Sequence, residues 1–223
     1  MAFAILQPLL IPDLQDIALM KAADRVVVQD SEIWSRKGRT HRAVIRTPEG
    51  TDYLNIPVES GDKKKEIRKV RINQGKNWVD PILRSLKFNY SNSVYYDFYE
   101  PEIASIFNDG KNFEFLTQFS DYLKGRLFEF LEITDEIRPK FLLSSKITDY
   151  DSDPDRLQVL MDGGDYYQEH NARHYQRQGK NKSELPFLHP EYRQHFEGFE
   201  PFCCVLDLLF QYGPESFRVI DKV

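Results

Sequence analysis

The chain has 223 residues, of which 41% are hydrophobic and 13% aromatic, a composition typical of a globular protein with a substantial core rather than of a disordered one. Its formal net charge of −5 argues against sequence-independent binding to nucleic acid, which requires a positive surface to displace phosphate counterions. No segment approaches the ~18 consecutive apolar residues of a membrane-spanning helix, so we expect no membrane span.

The first thirty residues have the pattern of a β-α-β unit. Apolar residues 3–6 predict a strand, the spacing from Leu14 onward predicts an amphipathic helix, and Arg25–Gln29 predict a second strand. Such a unit crosses over right-handedly and makes its strands parallel. Gln7 and Asp30 then follow the carboxyl ends of neighbouring strands, where open α/β sheets bind ligands. The helix start near Asp13 adds unpaired N–H groups that suit an anion.

A basic loop follows Asp30 and contains Arg36, Lys37, Arg39, His41 and Arg42. Because it directly follows a strand of the predicted sheet, we interpret it as a loop that faces a ligand. The alternative is a solvated surface loop, the commonest setting for charged residues.

The middle of the chain predicts a hairpin, a further strand and three helices. The hairpin strands turn at Gly50, which is free to take a positive φ, and the helices have an aromatic stripe typical of a core. The predicted strands are 43–47, 51–58 and 67–72, and the helices lie around 78–86, 98–107 and 115–131.

Residues 139–145 are compatible with a short buried strand, and residues 151–161 with a helix. His170 and His174 would share a helix face, but the neighbouring glutamate of the metalloprotease motif is missing, so we expect no metal site. These patterns predict an α/β fold: a mixed sheet with a parallel β-α-β opening, an antiparallel hairpin and a mainly helical second half. We expect one domain over residues 1–223, with parts at about 1–75, 76–135 and 136–223.

The closing block holds His189, Tyr192 and Gln194, followed by a short apolar helix that Gly213 and Pro214 end. Asp207 interrupts that helix, and a carboxylate there must be paired or hydrogen-bonded. The only cysteines, Cys203 and Cys204, are adjacent, which fits neither a disulfide framework nor zinc-ligand spacing. We therefore expect a reducing, cytoplasmic setting.

The order and spacing of these motifs resemble the WbqC-like family, which is found in bacterial surface-polysaccharide gene clusters. The residues that carry the resemblance are Gln7-Pro8, Ala23-Asp24, Asp30, Arg36-Lys37, His41-Arg42, Gly50, Leu54, Pro57, Trp78, Tyr90, His189-Pro190, Tyr192, Gln194 and 207–210. The chain departs from the family pattern at several positions. Leu6 stands where members carry histidine, His41 where they carry asparagine, and a cysteine at 203 or 204 where serine is common; the segment around Tyr166 and Tyr167 is also altered.

The resemblance implies a transferase of O-antigen or related glycan synthesis that moves glycine, or another small acyl group, onto a nucleotide- or lipid-linked sugar. Acyl transfer needs a base and donors for the developing oxyanion. We assign the base to His189, oriented by Asp30 or Asp207. The remaining candidate residues hold the substrate or the phosphate of an activated acyl or nucleotide donor, and they are Gln7, Arg36, Lys37, His41, Arg42, Tyr192 and Gln194.

Two alternatives stay open. A β-α-β opening with a basic loop would also serve another nucleotide-dependent enzyme, such as a nucleotidyl- or glycosyltransferase. A non-catalytic binding or scaffold protein, in which Leu6 marks a lost active site, would use its aromatic helices as a partner surface.

Overall fold

A computed structural model describes residues 3–146, 166–169, 177–179 and 187–223. It confirms the α/β class with a mixed sheet and a separate hairpin. The predicted helix at 151–161 and the pair His170 and His174 lie outside the described residues.

The β-α-β opening is confirmed. Strand β1 spans Phe3–Leu6, helix α1 spans Leu14–Ala22 and strand β2 spans Arg25–Val28. The two strands pair in parallel with Phe3 opposite Arg25. The side chains of Val26, Val27 and Val28 are buried, as expected for a continuous apolar run covered on both faces.

Three further strands complete the main sheet. They are β5 (Phe141–Leu143), which pairs in parallel with β2, β6 (Tyr166–Glu169), which pairs in parallel with β1, and β7 (Arg177–Gly179), which is antiparallel to β6. The strand order is β5-β2-β1-β6-β7. The chain thus moves outward from β1 to β5 and then returns to the other side of β1. This reversal makes the carboxyl end of β1, where Gln7 lies, a topological switch point.

The predicted hairpin is also confirmed. Strand β3 (Arg42–Thr47) and strand β4 (Gly50–Asn55) pair antiparallel, and Gly50 takes a φ of +130° at the turn. Only a glycine adopts such a φ without strain, which explains why the turn falls here.

The predicted strand at 67–72 is wrong. The chain instead makes a helical turn at Ile67–Lys69 and then only isolated bridges, one of them between Val58 and Ile72. The buried Asp62 carboxylate explains the difference, because it accepts hydrogen bonds from both the backbone N–H and the guanidinium of Arg71. These bonds hold the pKa of Asp62 well below its usual range.

Helices form most of the remaining structure. The helices are α2 (Val79–Tyr90), α3 (Tyr96–Asp109), α4 (Leu116–Phe130), α5 (Thr134–Ile137), α6 (Val205–Tyr212) and α7 (Phe217–Ile220). The first three confirm most of the predicted aromatic stripes as core, since Trp78 and Phe119 pack edge to face with ring centroids 5.6 Å apart. Phe98 is the exception, because its side chain is exposed. Strand β5 is present as predicted. It is an edge strand of the sheet, and the side chains of Leu142 and Leu143 are more exposed than those of a buried strand.

Gly213 ends α6 with a φ of +50°, and a Cβ at this position would lie 2.6 Å from the ring of Tyr95. We expect Gly213→Ala to lower the free energy of unfolding by about 2 kcal/mol, because backbone strain and overpacking add. Urea denaturation measures the change. Gly61→Ala is the matched control, since its Cβ would meet no atom within 4 Å. Equal urea midpoints for both variants would contradict the prediction.

Candidate functional site

Asp30 lies at the carboxyl end of β2 and joins it to the end of β5. Its Oδ1 accepts hydrogen bonds from Ser144 Oγ at 2.8 Å and the Ser145 N–H at 2.9 Å, and its Oδ2 accepts one from Ser145 Oγ at 2.6 Å. The residue is buried. These contacts are those of a side chain that positions the edge of the sheet.

Gln7 connects the end of β1 to the loop that follows β2. Its Nε2 donates to Glu32 Oε2 at 2.6 Å. Its Oε1 faces Gly38, where a Cβ would lie 3.7 Å away. Gln7 is half-buried, and its hydrogen bond to Glu32 holds the basic loop against the switch point of the sheet.

The start of α1 is not an anion site, contrary to the prediction. Asp13 caps the helix by accepting from the Asp16 N–H at 2.9 Å, and the Asp16 carboxylate accepts from the Asp13 N–H in return. The Arg39 guanidinium binds both carboxylates, with Nη2 3.1 Å from Asp13 Oδ2. Two buried carboxylates already occupy the positive end of the helix, so a further anion would be repelled.

The basic loop contains three further cations, which differ in their exposure to solvent. Arg36 and Lys37 are exposed, and the half-buried Arg42 donates from Nη2 to the Lys37 carbonyl at 2.5 Å. The Arg42 guanidinium also lies over the Tyr53 ring, 4.5 Å from its centroid. Within the described part of the chain, none of these three cations forms an ion pair.

Trp34 and His41 are buried close to these cations. Their ring centroids are 5.0 Å apart, and the residues are 6% and 9% exposed. Trp34 Nε1, His41 Nδ1 and Arg42 Nε have no hydrogen-bond partner among the described residues. Burial, followed by repulsion from Arg42 and Arg36, lowers the pKa of His41 to about 4. Sequence reasoning missed Trp34, because a tryptophan before a basic run has no mark that separates it from a core aromatic.

His189 lies in an aromatic cluster of the closing block, where its ring packs on Tyr192 and Phe202. Its Nδ1 is 3.1 Å from the Pro190 carbonyl, and its Nε2 accepts from the Phe202 N–H at 3.2 Å. Both contacts fit a neutral ring that carries its proton on Nδ1, and burial lowers its pKa. In the described residues, neither Asp30 nor Asp207 hydrogen-bonds to this ring.

Asp207 is fully buried in α6 and hydrogen-bonds to Tyr192 and Gln194, two of the predicted residues of this block. It accepts from the Tyr192 hydroxyl at 2.8 Å and from Gln194 Nε2 at 3.1 Å. Burial raises the pKa of Asp207 to about 6, against the effect of these hydrogen bonds. Tyr192 also stacks on His189 with ring centroids 6.3 Å apart, so it lies in contact with both Asp207 and His189.

Strand β3 connects the basic loop to this closing block. The Cys204 N–H donates to the Val44 carbonyl at 2.8 Å. The buried Arg46 donates to the carbonyls of Gly50 at 2.8 Å and Glu197 at 2.6 Å. Sequence reasoning also missed Arg46, since alternation on a hairpin strand would place it in solvent.

A family model described as the WbqC-like protein family matches residues 7–219, which include both the basic loop and the closing block. The chain belongs to the WbqC-like protein family. It is also similar to Uncharacterized protein Rv1507c of Mycobacterium tuberculosis (strain ATCC 25618 / H37Rv), with 25% identity over 228 residues that cover 96% of this chain and 94% of the relative. No solved structure matches the chain.

Two further observations concern this WbqC-like protein. Among the described residues, no helix combines the length and apolar character needed to cross a membrane. The same part of the chain contains no group of three or more His, Cys, Asp or Glu residues placed to hold a metal ion.

Proposed function

We propose that this WbqC-like protein is a transferase of bacterial surface-glycan synthesis. It holds the phosphate of an activated donor at the basic loop and moves glycine, or another small acyl group, onto a nucleotide- or lipid-linked sugar. The observation that carries the phosphate-binding part is a set of three cations, beside the buried Trp34 and His41, that form no ion pair with any described residue. The family resemblance supports the acyl transfer.

The contrast among the arginines supports a phosphate ligand. Arg39 is bound to Asp13 and Asp16, and Arg71 to Asp62, so each of these guanidinium groups already has an anion. Arg36 and Arg42 have no such partner in the part of the chain that the structure describes, and an arginine fork suits phosphate oxygens especially well. The loop also adjoins the switch point of the sheet, where α/β folds commonly bind ligands.

For the transfer step, His189 remains our proposed base. Its Nε2 must exchange the hydrogen bond from the Phe202 N–H for one from the acceptor hydroxyl or amine, whose proton it then removes. The acceptor atom bonds to the acyl carbonyl carbon, and the bond between the acyl group and the donor breaks with its electron pair leaving on the donor. Asp207 is a positioning residue in this proposal, because it holds Tyr192 against the imidazole ring. Asp30 positions the loop through the end of β5.

Thermal shift measurements test donor binding. We expect a phosphate-bearing donor, tried as ATP, nucleotide sugars and acyl-CoA, to raise the Tm of the protein, since a ligand of the native state adds about 2.7 kcal/mol at 100 times its Kd. Arg42→Gln should weaken this binding at least tenfold, because a charge-assisted hydrogen bond to an anion contributes about 1.5–3 kcal/mol.

Arg126→Gln is the matched control, since this cation on α4 pairs with Glu102 and Glu129 at the surface. His189→Gln should abolish acyl transfer and leave the donor-induced shift in place. Equal donor affinity of Arg42→Gln and the unmodified protein would contradict the phosphate site. Full transfer activity of His189→Gln would contradict the assigned base.

A further inference from the structure

Trp34 and His41 form a buried pair of polar rings, and each has one nitrogen atom without a hydrogen-bond partner among the described residues. Trp34 Nε1 and His41 Nδ1 are both inaccessible to solvent and make no hydrogen bond within the described part of the chain. Folded proteins pair nearly all such groups, because an unpaired buried one is costly. Unpaired polar atoms beside cations that form no ion pair within the described residues are the arrangement expected of a site that is completed by a ligand.

Burial, and then the charges around His41, keep its ring neutral without a ligand. Arg36 and Arg42 are the charged groups that act on the ring, while the neighbouring Arg39 is turned toward Asp13 and Asp16. The backbone of His41 is fixed, since its carbonyl accepts from the Ile56 N–H at 2.8 Å. The His41 ring is therefore neutral near pH 7, and it lies close to the Trp34 indole and to the positive charges of Arg36 and Arg42.

We propose that Trp34 and His41 are the floor of the anion site and that His41 takes up one proton from solvent when a dianion binds. The inference rests on the proposed phosphate site and names two of its binding groups. The indole N–H is a donor only, and a protonated imidazole donates from both nitrogens. Together with Arg42 Nε they give the anion three donors. Its negative charge offsets the repulsion from Arg42 and Arg36, which adds to burial in keeping the ring neutral.

Anion affinity then depends on pH with a defined sign. The pKa of the free ring is about 4, and a bound dianion raises it toward or above its ordinary value of about 6.5. Between these two values the complex binds more protons than the free protein. Affinity therefore increases as pH falls, by up to about tenfold for each pH unit.

Sulfate is the probe, because it keeps both of its charges over the range tested, whereas phosphate itself titrates. Calorimetry at about pH 7.5 and about pH 5.5, in two buffers of different ionisation enthalpy, gives the affinity and the number of protons taken up. We expect at least tenfold tighter binding at the lower pH, with proton uptake approaching one per sulfate. His41→Asn, which keeps a hydrogen-bonding amide but cannot titrate, should lose most of this dependence.

Trp34→Phe should bind sulfate several-fold more weakly at both pH values and keep the pH dependence, because only the indole N–H is lost. Asp207 also titrates near pH 6, but all variants share it, so the comparison with His41→Asn isolates the imidazole. His41→Gln serves in place of His41→Asn should the latter fail to fold.

Sulfate binding that is independent of pH, or a full pH dependence in His41→Asn, would overturn the inference and leave the phosphate site standing. If neither sulfate nor any phosphate-bearing donor binds, the proposed function fails together with it.

Discussion

Replacing Arg39 by methionine is expected to lower the free energy of unfolding by about 3–5 kcal/mol, because it removes the cation from a buried ion-pair network. Asp13 and Asp16 are 1% and 0% exposed, and both carboxylates bind the Arg39 guanidinium. Methionine keeps the length and the packing of the side chain but cannot compensate either charge. The helix start and the loop that carries Arg36 and Arg42 are then no longer held together.

Urea denaturation measures this loss, with Arg126→Met as the control. Arg126 pairs with Glu102 and Glu129 at the surface, and exposed pairs contribute about 0–1 kcal/mol. Adding Asp16→Asn to Arg39→Met should restore part of the stability, since one uncompensated charge disappears while the amide oxygen still accepts from the Asp13 N–H. A loss below about 1 kcal/mol for Arg39→Met would show that the network is not a structural requirement.

Asp207→Asn should make the protein progressively more stable relative to the unmodified chain as pH rises. The folded-state pKa of Asp207 is raised to about 6 from an ordinary 3.8, so the buried carboxyl favours its neutral form. This preference contributes stability below pH 3.8, and the contribution is lost as pH rises through about 6. Between about pH 4.5 and 7.5 the difference between variant and parent should shift by about 2 kcal/mol.

Thermal or urea unfolding at both pH values provides the comparison. Asp62→Asn is the control, because the pKa of Asp62 is held well below its usual range and the group stays ionised across this interval. Its stability difference should therefore not change with pH. A constant difference for Asp207→Asn as well would mean that Asp207 remains ionised in the folded protein at the lower pH.

The opening of the fold was predictable because its signals are local. Buried valines at 26–28 specify a covered strand, and Gly50 specifies the hairpin turn. The strand expected at 67–72 failed because Asp62 binds Arg71, a partner that apolar alternation does not reveal.

The candidate site, too, was predictable only in part. Sequence reasoning placed Gln7 and Asp30 at the carboxyl edge of the sheet, and the structure places them there. It could not distinguish Arg36 from Arg39, because only the folded position of Asp13 and Asp16 decides which guanidinium is neutralised. It also could not foresee that Asp30 and His189 have their hydrogen-bonding atoms occupied by serines and backbone groups.

The contacts between β3 and the closing block affect how the protein folds during synthesis. Arg46 reaches the Glu197 carbonyl across 151 positions, and the Pro12 carbonyl accepts from the Val205 N–H. Such pairings form only after much chain entropy has been lost, so they slow folding. The hairpin and the helices that are translated first therefore remain unpacked, with Arg46 still hydrated. The core closes only after the segment near residue 205 has emerged from the exit tunnel.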